Sequence, residues 1–422
     1  MHKTRIILFI FLILIFIQPN NLVAETAPDV KISKLETKVD FPEKITFSFQ
    51  GEVNKKLQDI KVNFKIGDRK TLQYGYMEFS ENLDNNVVNS FMDFRINTQN
   101  GFIPPGSRIN WYLTFYFEDG SQFISEDTEF VMLDTRFDDW DFLETDKIRI
   151  YYRFSKSRAK RLLEECEIVL NEMEPIVGSS EELITITLYN NYSEMIDAIR
   201  SKSKTSDREL ITAGQAFENE GVVLVLAGKN DLGTSTHEIM HILVGRATDG
   251  SINLPLWLNE GLAEFANRDK TVSYDIYLDW AIGTNQLKPL SQLLTFPGNP
   301  QLTLVSYGQS RSVVNYMIDQ YGFEKMNLLL SNLSKGLTVD ESIINTYGIN
   351  LQELDNQWRK TVGAGDYQPR ENKTITILKK NPISDSSFRP SNWIIISLGL
   401  IFLGYLFFLG TIWLRDRDRD RK

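Results

Sequence analysis

The chain has 422 residues, enough for two or three domains of ordinary size. Its formal net charge is −10, and basic residues gather at its two ends, so the part between is more acidic still. This balance argues against a nucleic-acid partner, which would need a basic surface. The single cysteine, Cys166, excludes an intramolecular disulfide and a cysteine-based zinc cluster. Its Leu/Val-rich helical surroundings predict a buried apolar residue.

The N-terminal end of the chain predicts export. Residues 1–24 begin with Lys3 and Arg5, continue with an apolar run and end at Ala24. A basic start, an apolar run and a small final residue are typical of a cleaved secretory signal peptide. An uncleaved anchor helix is the alternative, although the apolar run is short for a membrane span.

The C-terminal end predicts a membrane anchor. Residues 363–391 are mostly polar and predict a stalk. Residues 392–414 carry no charge and are numerous enough to span a bilayer as a transmembrane helix. The basic tail, residues 415–422, then places the C-terminus in the cytoplasm by the positive-inside rule. We therefore expect a single-pass protein of the cell membrane whose folded domains are extracytoplasmic.

Residues 25–135 predict an all-β domain. Clusters of β-forming residues, such as Ile45–Phe49 and Trp111–Phe117, alternate with turn signals such as Pro104–Gly106. Short strands at this spacing favour an immunoglobulin-like sandwich. Such a domain could be a spacer, a ligand-presenting module or plain structural support. The acidic and aromatic residues 136–147 predict a connector that acts as an interdomain hinge.

Residues 148–362 predict a second domain in which strands and helices alternate. The predicted strands are Ile148–Tyr152, which would be the first of the domain, Ile184–Tyr189 and Gly221–Leu226. The predicted helices are 156–174, one from Ser193 to Ile199, one beginning near Thr234, and helical hairpins over 322–361.

The segment His237-Glu238-Ile239-Met240-His241 carries the clearest chemical signal. In a helix, His237 and His241 lie one turn apart on the same face, where both imidazoles can bind one zinc ion. Glu238 stands beside them and can take a proton from a water that zinc activates. Glu260 follows His241 after eighteen residues, a gap that fits a turn around Gly250 between two helices. It supplies a candidate third ligand and leaves a fourth position open for water.

Simpler interpretations of these residues remain open. A histidine pair on an apolar helix face can be an ordinary core or surface pair. However, every histidine except His2, which lies in the predicted signal peptide, falls in this motif. Glu238 also completes a capping-box pattern with Ser235, so it could serve only as a helix cap.

His-Glu-x-x-His followed after eighteen residues by Asn-Glu-Gly-Leu-Ala resembles the gluzincin metallopeptidases of the aminopeptidase N-like kind, the peptidase MA group. The resemblance implies an α+β zincin-like catalytic domain that binds one zinc ion and acts on peptides or proteins. The zinc ligands would be His237, His241 and Glu260, and Glu238 would be the general base. In this pattern Glu264, one turn after Glu260, hydrogen-bonds a ligand histidine. A solvated helix carboxylate is the alternative.

Two further segments resemble elements of this family. Gly214–Gly221 resembles the Gly-x-Met-Glu-Asn-x-Gly element that holds a substrate's free amino group, a role that would fall to Glu218. Alternatively, the strand after this segment lines the cleft as an edge and pairs with substrate backbone. Ser306–Ser310 resembles a helix start at which a tyrosine lies near the substrate carbonyl. Tyr307 would then donate to the developing oxyanion, unless it is an ordinary helix-start aromatic.

Together these features predict a membrane-anchored zinc metallopeptidase, with an all-β immunoglobulin-like sandwich before the catalytic domain and a C-terminal transmembrane helix. The alternative is a non-catalytic cell-surface binding protein that retains a zinc site and binds a partner through its β-domain. A purely structural zinc site is disfavoured because three ligands leave one position open.

Overall fold

The structure of the protein, a computed structural model, describes residues 29–82, 86–98, 101–199, 213–269 and 271–367. The predicted signal peptide, the transmembrane helix, the cytoplasmic tail and all but the first residues of the stalk lie outside the described residues. Within the described ranges, no helix is both long and apolar enough to cross a membrane.

The N-terminal part of the chain folds into two antiparallel sheets. Its strands are β1 (Val30–Asp40), β2 (Lys44–Val53), β3 (Leu57–Ile66), β4 (Gln73–Tyr76), β5 (Glu78–Asn82), β6 (Val87–Arg95), β7 (Ser107–Phe117), β8 (Gln122–Ile124) and β9 (Thr128–Met132). One sheet has the order β1-β2-β6-β5, and the other has the order β4-β3-β7-β8 with β9 also paired to β7. Phe47 of the first sheet meets Phe64 and Trp111 of the second at ring-centroid distances of 5.3 and 5.1 Å. The two sheets therefore pack face to face, as a sandwich.

The second domain is built on a five-stranded sheet. Its strands are β10 (Asp141–Glu144), β11 (Ile148–Tyr152), β12 (Ile184–Tyr189), β13 (Gly214–Phe217) and β14 (Val222–Leu226). Their order is β10-β11-β12-β14-β13, with the three central strands parallel and the two edge strands antiparallel.

Two predictions about this sheet are wrong. The predicted connector, residues 136–147, contains strand β10, so Ile148–Tyr152 is not the first strand of the domain. The predicted edge strand, here Val222–Leu226, pairs on both sides, and Gly214–Phe217 forms the edge instead. The physical reason lies in burial, because β14 is apolar on both faces and suits a central position. The two edge strands are short and partly exposed, and four residues carry too weak a pattern to predict.

Helices follow and interleave with this sheet. They are α1 (Lys156–Val177), α2 (Tyr192–Ala198), α3 (Asp231–Ala247), α4 (Leu256–Ala266), α5 (Val272–Gly283), α6 (Pro300–Tyr321), α7 (Phe323–Ser334), α8 (Val339–Tyr347) and α9 (Leu351–Thr361). Residues 322–361, for which the sequence predicts helical hairpins, contain the three consecutive helices α7, α8 and α9.

Helix α3 begins earlier than the sequence predicts. Its first residue is Asp231 rather than one near Thr234. The Asp231 carboxylate is buried and accepts hydrogen bonds from Arg158 on α1 and from the backbone N–H of Gly228. Ser235 consequently lies inside the helix, where its Oγ donates to the carbonyl of Asp231 at 2.6 Å. The capping-box interpretation is therefore wrong, and Glu238 is not a helix cap.

The five-stranded sheet lies between the sandwich and the helices. On one face, Val223 and Val225 are fully buried in a core that they share with α1 and α3. On the opposite face, Val222 and Leu224 are fully buried in the core of the sandwich. The sandwich is thus a wall of the second domain, which favours the structural-support interpretation of residues 25–135.

Candidate metal centre and its cleft

Helices α3 and α4 bring the three predicted zinc ligands together. Helix α3 carries His237 and His241, and α4 packs against it and carries Glu260. The Nε2 atoms of the two histidines are 3.2 Å apart. The Oε2 atom of Glu260 lies 3.5 Å from Nε2 of His237 and 3.7 Å from Nε2 of His241. The three ligand atoms lie within 4.8 Å of one another, close enough to share one ion.

Polar groups behind the two histidines fix the orientation of their rings. Nδ1 of His241 lies 3.0 Å from Oδ1 of Asn259, and Nδ1 of His237 lies 2.9 Å from Oε1 of Glu264. A hydrogen bond donated at Nδ1 leaves Nε2 available to a metal. The Glu264 side chain is only 3% exposed, so it is not a solvated carboxylate.

The charge of this cluster favours a cation. Burial lowers the pKa of His237, but its interactions with Glu260 and Glu264 outweigh burial and raise the pKa from 6.5 to about 10. Burial raises the pKa of Glu260, but its interactions with His237 and His241 outweigh burial and lower it. The carboxylates therefore hold a positive charge on the histidine side of the site at neutral pH.

The donor set fits zinc. Two imidazole nitrogens and one carboxylate form one of the three-ligand sets that catalytic zinc sites use. Oε2 of Glu260 is buried and has no hydrogen-bond partner. The two histidine Nε2 atoms also face each other, an arrangement that only a shared proton or a cation satisfies. The three residues together can hold one zinc ion and leave one position open.

Glu238 lies beside the ligands on the side of the edge strand. Its Oε2 accepts a hydrogen bond of 2.8 Å from the backbone N–H of Ala216 on β13. The carboxylate lines the same cleft as the three candidate ligands. The sequence did not single out Ala216, because an alanine on a short strand carries no chemical signal.

Tyr307 lies about two turns inside helix α6, not at a helix start as predicted. The helix begins at Pro300, and Asn299 caps it by accepting from the backbone N–H of Leu302 at 3.2 Å. An Asn-Pro pair is a recognised helix-start signal, so the start was present in the sequence seven residues upstream of Tyr307.

The ring of Tyr307 nevertheless reaches the metal centre. Its centroid lies 6.5 Å from the ring of His237. It packs edge-on against Phe296 at 4.9 Å and stacks on Tyr274 at 5.3 Å. Burial raises the pKa of Tyr307 well above its usual value, so the phenol keeps its proton and can donate it in a hydrogen bond. Tyr274, on α5, is a cleft residue that no local pattern indicated.

The three candidate ligands line one cleft together with Glu238, Tyr274 and Tyr307, and its volume is about 540 Å³. Its walls come from β13, α3 and α4 on one side and from α5 and α6 on the other. Glu218, at the turn after β13, also lines it. Loss of surrounding water raises the pKa of the Glu218 carboxyl, the charge of His241 lowers it and the charge of Glu260 raises it. Five carboxylate side chains are among the described residues that line the cleft, and they favour positive charge there.

Residues 172–364 match the sequence model of the Peptidase MA superfamily. This range contains the two helices of the metal centre, and the match supports a zincin-like peptidase. Comparison with curated protein sequences finds no significant match.

Solved structures give weaker similarities. An M1 zinc metallopeptidase from Deinococcus radiodurans is 11% identical to this protein, with a TM-score of 0.34. The alignment covers 78% of this chain and 91% of the chain of that peptidase. OgpA from Akkermansia muciniphila is 13% identical, with 28% of this chain and 32% of its own covered and a TM-score of 0.19. A family 56 carbohydrate-binding module, a β-1,3-glucan-binding domain, is 13% identical over 23% of this chain and 95% of its own, with a TM-score of 0.15. At these TM-scores the similarities carry no argument about activity.

Proposed function

We propose that the protein is a zinc metallopeptidase that hydrolyses peptide bonds in peptide or protein substrates. The observation that carries the proposal is the convergence of His237, His241 and Glu260 on one point, with Glu238 at their side in an open cleft. The match to the Peptidase MA superfamily over the same residues supports the peptide bond as the target.

The residues of the metal centre would hold one zinc ion through Nε2 of His237, Nε2 of His241 and a carboxylate oxygen of Glu260. Zinc in such a site polarises a carbonyl oxygen and lowers the pKa of a water molecule. Glu264 and the carbonyl oxygen of the Asn259 side chain accept from Nδ1 of the two imidazoles and so direct Nε2 toward the ion.

Proton transfer falls to Glu238. Its carboxylate takes a proton from the attacking water and passes it to the nitrogen of the leaving amine. Tyr307 would donate its phenolic O–H to the oxyanion that forms on the carbonyl oxygen. The stacked ring of Tyr274 and the perpendicular ring of Phe296 hold the phenol in place for this task.

The proposal includes the location that the sequence predicts. The signal peptide predicted for residues 1–24 and the transmembrane helix predicted for residues 392–414 would place the catalytic domain outside the cell membrane. The substrate would then be an extracytoplasmic peptide or protein.

The test is to replace Glu238 by Gln in the full-length protein purified in detergent. We expect about one zinc per chain in both proteins, and hydrolysis of a peptide library by the wild type only, because the amide cannot accept the water's proton. Glu353→Gln, at an exposed residue in the first turn of α9 that does not line the cleft, is the matched control and should behave as the wild type. Hydrolysis by the Glu238 variant at the wild-type rate would contradict the assignment of the base.

One observation favours the alternative, a non-catalytic surface protein that binds a partner through its β-domain. Tyr74 and Tyr76 on β4 are 66% and 57% exposed, side by side on the outer face of a sheet. Exposed aromatic rings of this kind are typical of binding surfaces. A wild-type protein that carries zinc but cleaves no peptide in the library would select this alternative.

A further inference from the structure

Ala216, on the edge strand β13, presents its backbone N–H to the cleft. Residues of a strand alternate in the direction of their backbone groups, and Ala216 directs its N–H away from β14. This N–H donates a hydrogen bond of 2.8 Å to Oε2 of Glu238. The carbonyl of Ala216 accepts from the side-chain amide of Gln215 at 3.0 Å. Both outward backbone groups of Ala216 are therefore occupied by side chains.

The same strand also confines the stem of Glu238. Gly214 lies so close to α3 that a Cβ at this position would be 2.8 Å from Cγ of Glu238 and 2.5 Å from Cγ2 of Thr234. Real Cβ atoms do not approach other atoms this closely. Only glycine allows the strand to reach the helix, and the strand in turn leaves the Glu238 stem little room to change rotamer.

The sandwich holds the turn that follows β13. Arg69, in the turn after β3, donates from Nε to Oε1 of Glu220 at 2.6 Å, and both side chains are less than one-fifth exposed. Asp68, in the same turn, accepts from Arg246 in the last turn of α3 at 2.7 Å. The two ion pairs tie the β13–β14 hairpin and helix α3 to one turn of the sandwich.

We propose that the backbone N–H of Ala216 is a positioning group for Glu238, and that the sandwich holds it there through the Arg69–Glu220 ion pair. The proposal rests on the function of Glu238 proposed above. A carboxylate that is free to rotate spends part of its time away from the attacking water. A hydrogen bond to a charged acceptor, inside a confined space, keeps the carboxylate directed into the cleft before substrate arrives.

The first experiment removes the donor and, with the Cδ of the proline ring in its place, displaces the Glu238 carboxylate from its position. Ala216→Pro deletes the N–H, and no ladder bond is lost because that N–H does not face β14. Ala216→Gly retains the N–H and is the matched control. We expect kcat of the proline variant to fall roughly 10- to 100-fold, as for a catalytic group misplaced by about 1 Å, with KM changed less than about threefold and zinc content unchanged. Equal kcat values for the proline and glycine variants would overturn the proposal.

A second measurement depends neither on activity nor on the folding of the proline variant. In protein labelled with ¹⁵N-alanine, the Ala216 amide signal is identified by its absence from the Ala216→Gly protein. We expect its hydrogen exchange to be slow in the wild type and about tenfold faster in Glu238→Ala, which lacks the acceptor. Equally fast exchange in both proteins would refute the hydrogen bond. If the wild type cleaves no peptide, the proposed function fails, and this measurement still decides whether Ala216 holds Glu238.

A third experiment tests the part played by the sandwich. Arg69→Ala removes the largely buried ion pair to Glu220. Lys70→Ala removes the neighbouring Lys70–Asp249 pair, whose side chains are 71% and 69% exposed. We expect Arg69→Ala to lower kcat several-fold and to speed exchange at Ala216, because the hairpin loosens. Lys70→Ala should change neither, since exposed ion pairs contribute little. Wild-type values of both quantities in Arg69→Ala would overturn the role of the sandwich.

Discussion

Replacing Glu264 should weaken zinc binding in two graded steps. The carboxylate accepts from Nδ1 of His237 at 2.9 Å, and its side chain is only 3% exposed, so water screens the interaction little. Glu264→Gln keeps an acceptor oxygen but loses the charge. Glu264→Ala loses both the charge and the acceptor and leaves the Nδ1–H of His237 without a partner.

The loss of a partner behind a ligand histidine typically costs 10- to 100-fold in metal affinity. We therefore expect the zinc Kd to rise about tenfold in Glu264→Gln, or roughly 1.4 kcal/mol, and about 100-fold in Glu264→Ala, or roughly 2.7 kcal/mol. Glu264→Gln should bind zinc more tightly than Glu264→Ala, because glutamine retains an acceptor oxygen for Nδ1 of His237.

The assay is an equilibrium competition for zinc between the full-length protein in detergent and a chromophoric chelator, at fixed pH and ionic strength. Glu353→Gln makes the same change of charge on the exposed first turn of α9 and should leave the Kd unchanged. If Glu264→Gln and Glu264→Ala bind zinc as tightly as this control, Glu264 does not support His237, and the reasoning is wrong.

Three other predictions follow from buried ionisable groups. Because the pKa of His237 is raised to about 10, zinc must displace its proton at neutral pH, and the zinc affinity should rise about tenfold per pH unit from pH 6 to 8; titrations that show no pH dependence would contradict this. Burial raises the pKa of the Cys166 thiol to about 12, so a thiol reagent at pH 8 should label it only after denaturation, and rapid labelling of native protein would disprove its burial. Asp355→Ala leaves Arg359, its ion-pair partner at 2.9 Å, buried and unpaired; the free energy of unfolding should fall by about 3–5 kcal/mol in a denaturant titration, and a loss below about 1 kcal/mol would count against the pair.

The sequence was sufficient to predict which residues meet at the metal centre. Two histidines four apart share a helix face whatever surrounds them, and the gap to Glu260 has room for one turn between two antiparallel helices. The structure places these residues and Glu264 together, within reach of a common ion. Such predictions depend on local geometry, which a single sequence carries.

The features that sequence reasoning missed depend on distant parts of the chain. Helix α3 starts at Asp231 because an arginine on α1 reaches that carboxylate, and nothing near Asp231 reveals the partner. Ala216 and Tyr274 reach the cleft because of how strands and helices pack, and neither belongs to a pattern. The short edge strand β10 likewise gains its pairing from β11 rather than from its own residues.

The sheet that the sandwich and the helices share determines how this protein can be divided. A fragment without residues 25–135 would expose Tyr189, Val222 and Leu224, each 0% exposed in the intact chain. At about 1.5–3 kcal/mol for each large apolar side chain, these three alone represent roughly 5–9 kcal/mol, comparable with the whole stability of a typical domain. The zinc-site helices and the sandwich before them should therefore be expressed together, as one folding unit. They look like two independent modules only in the sequence.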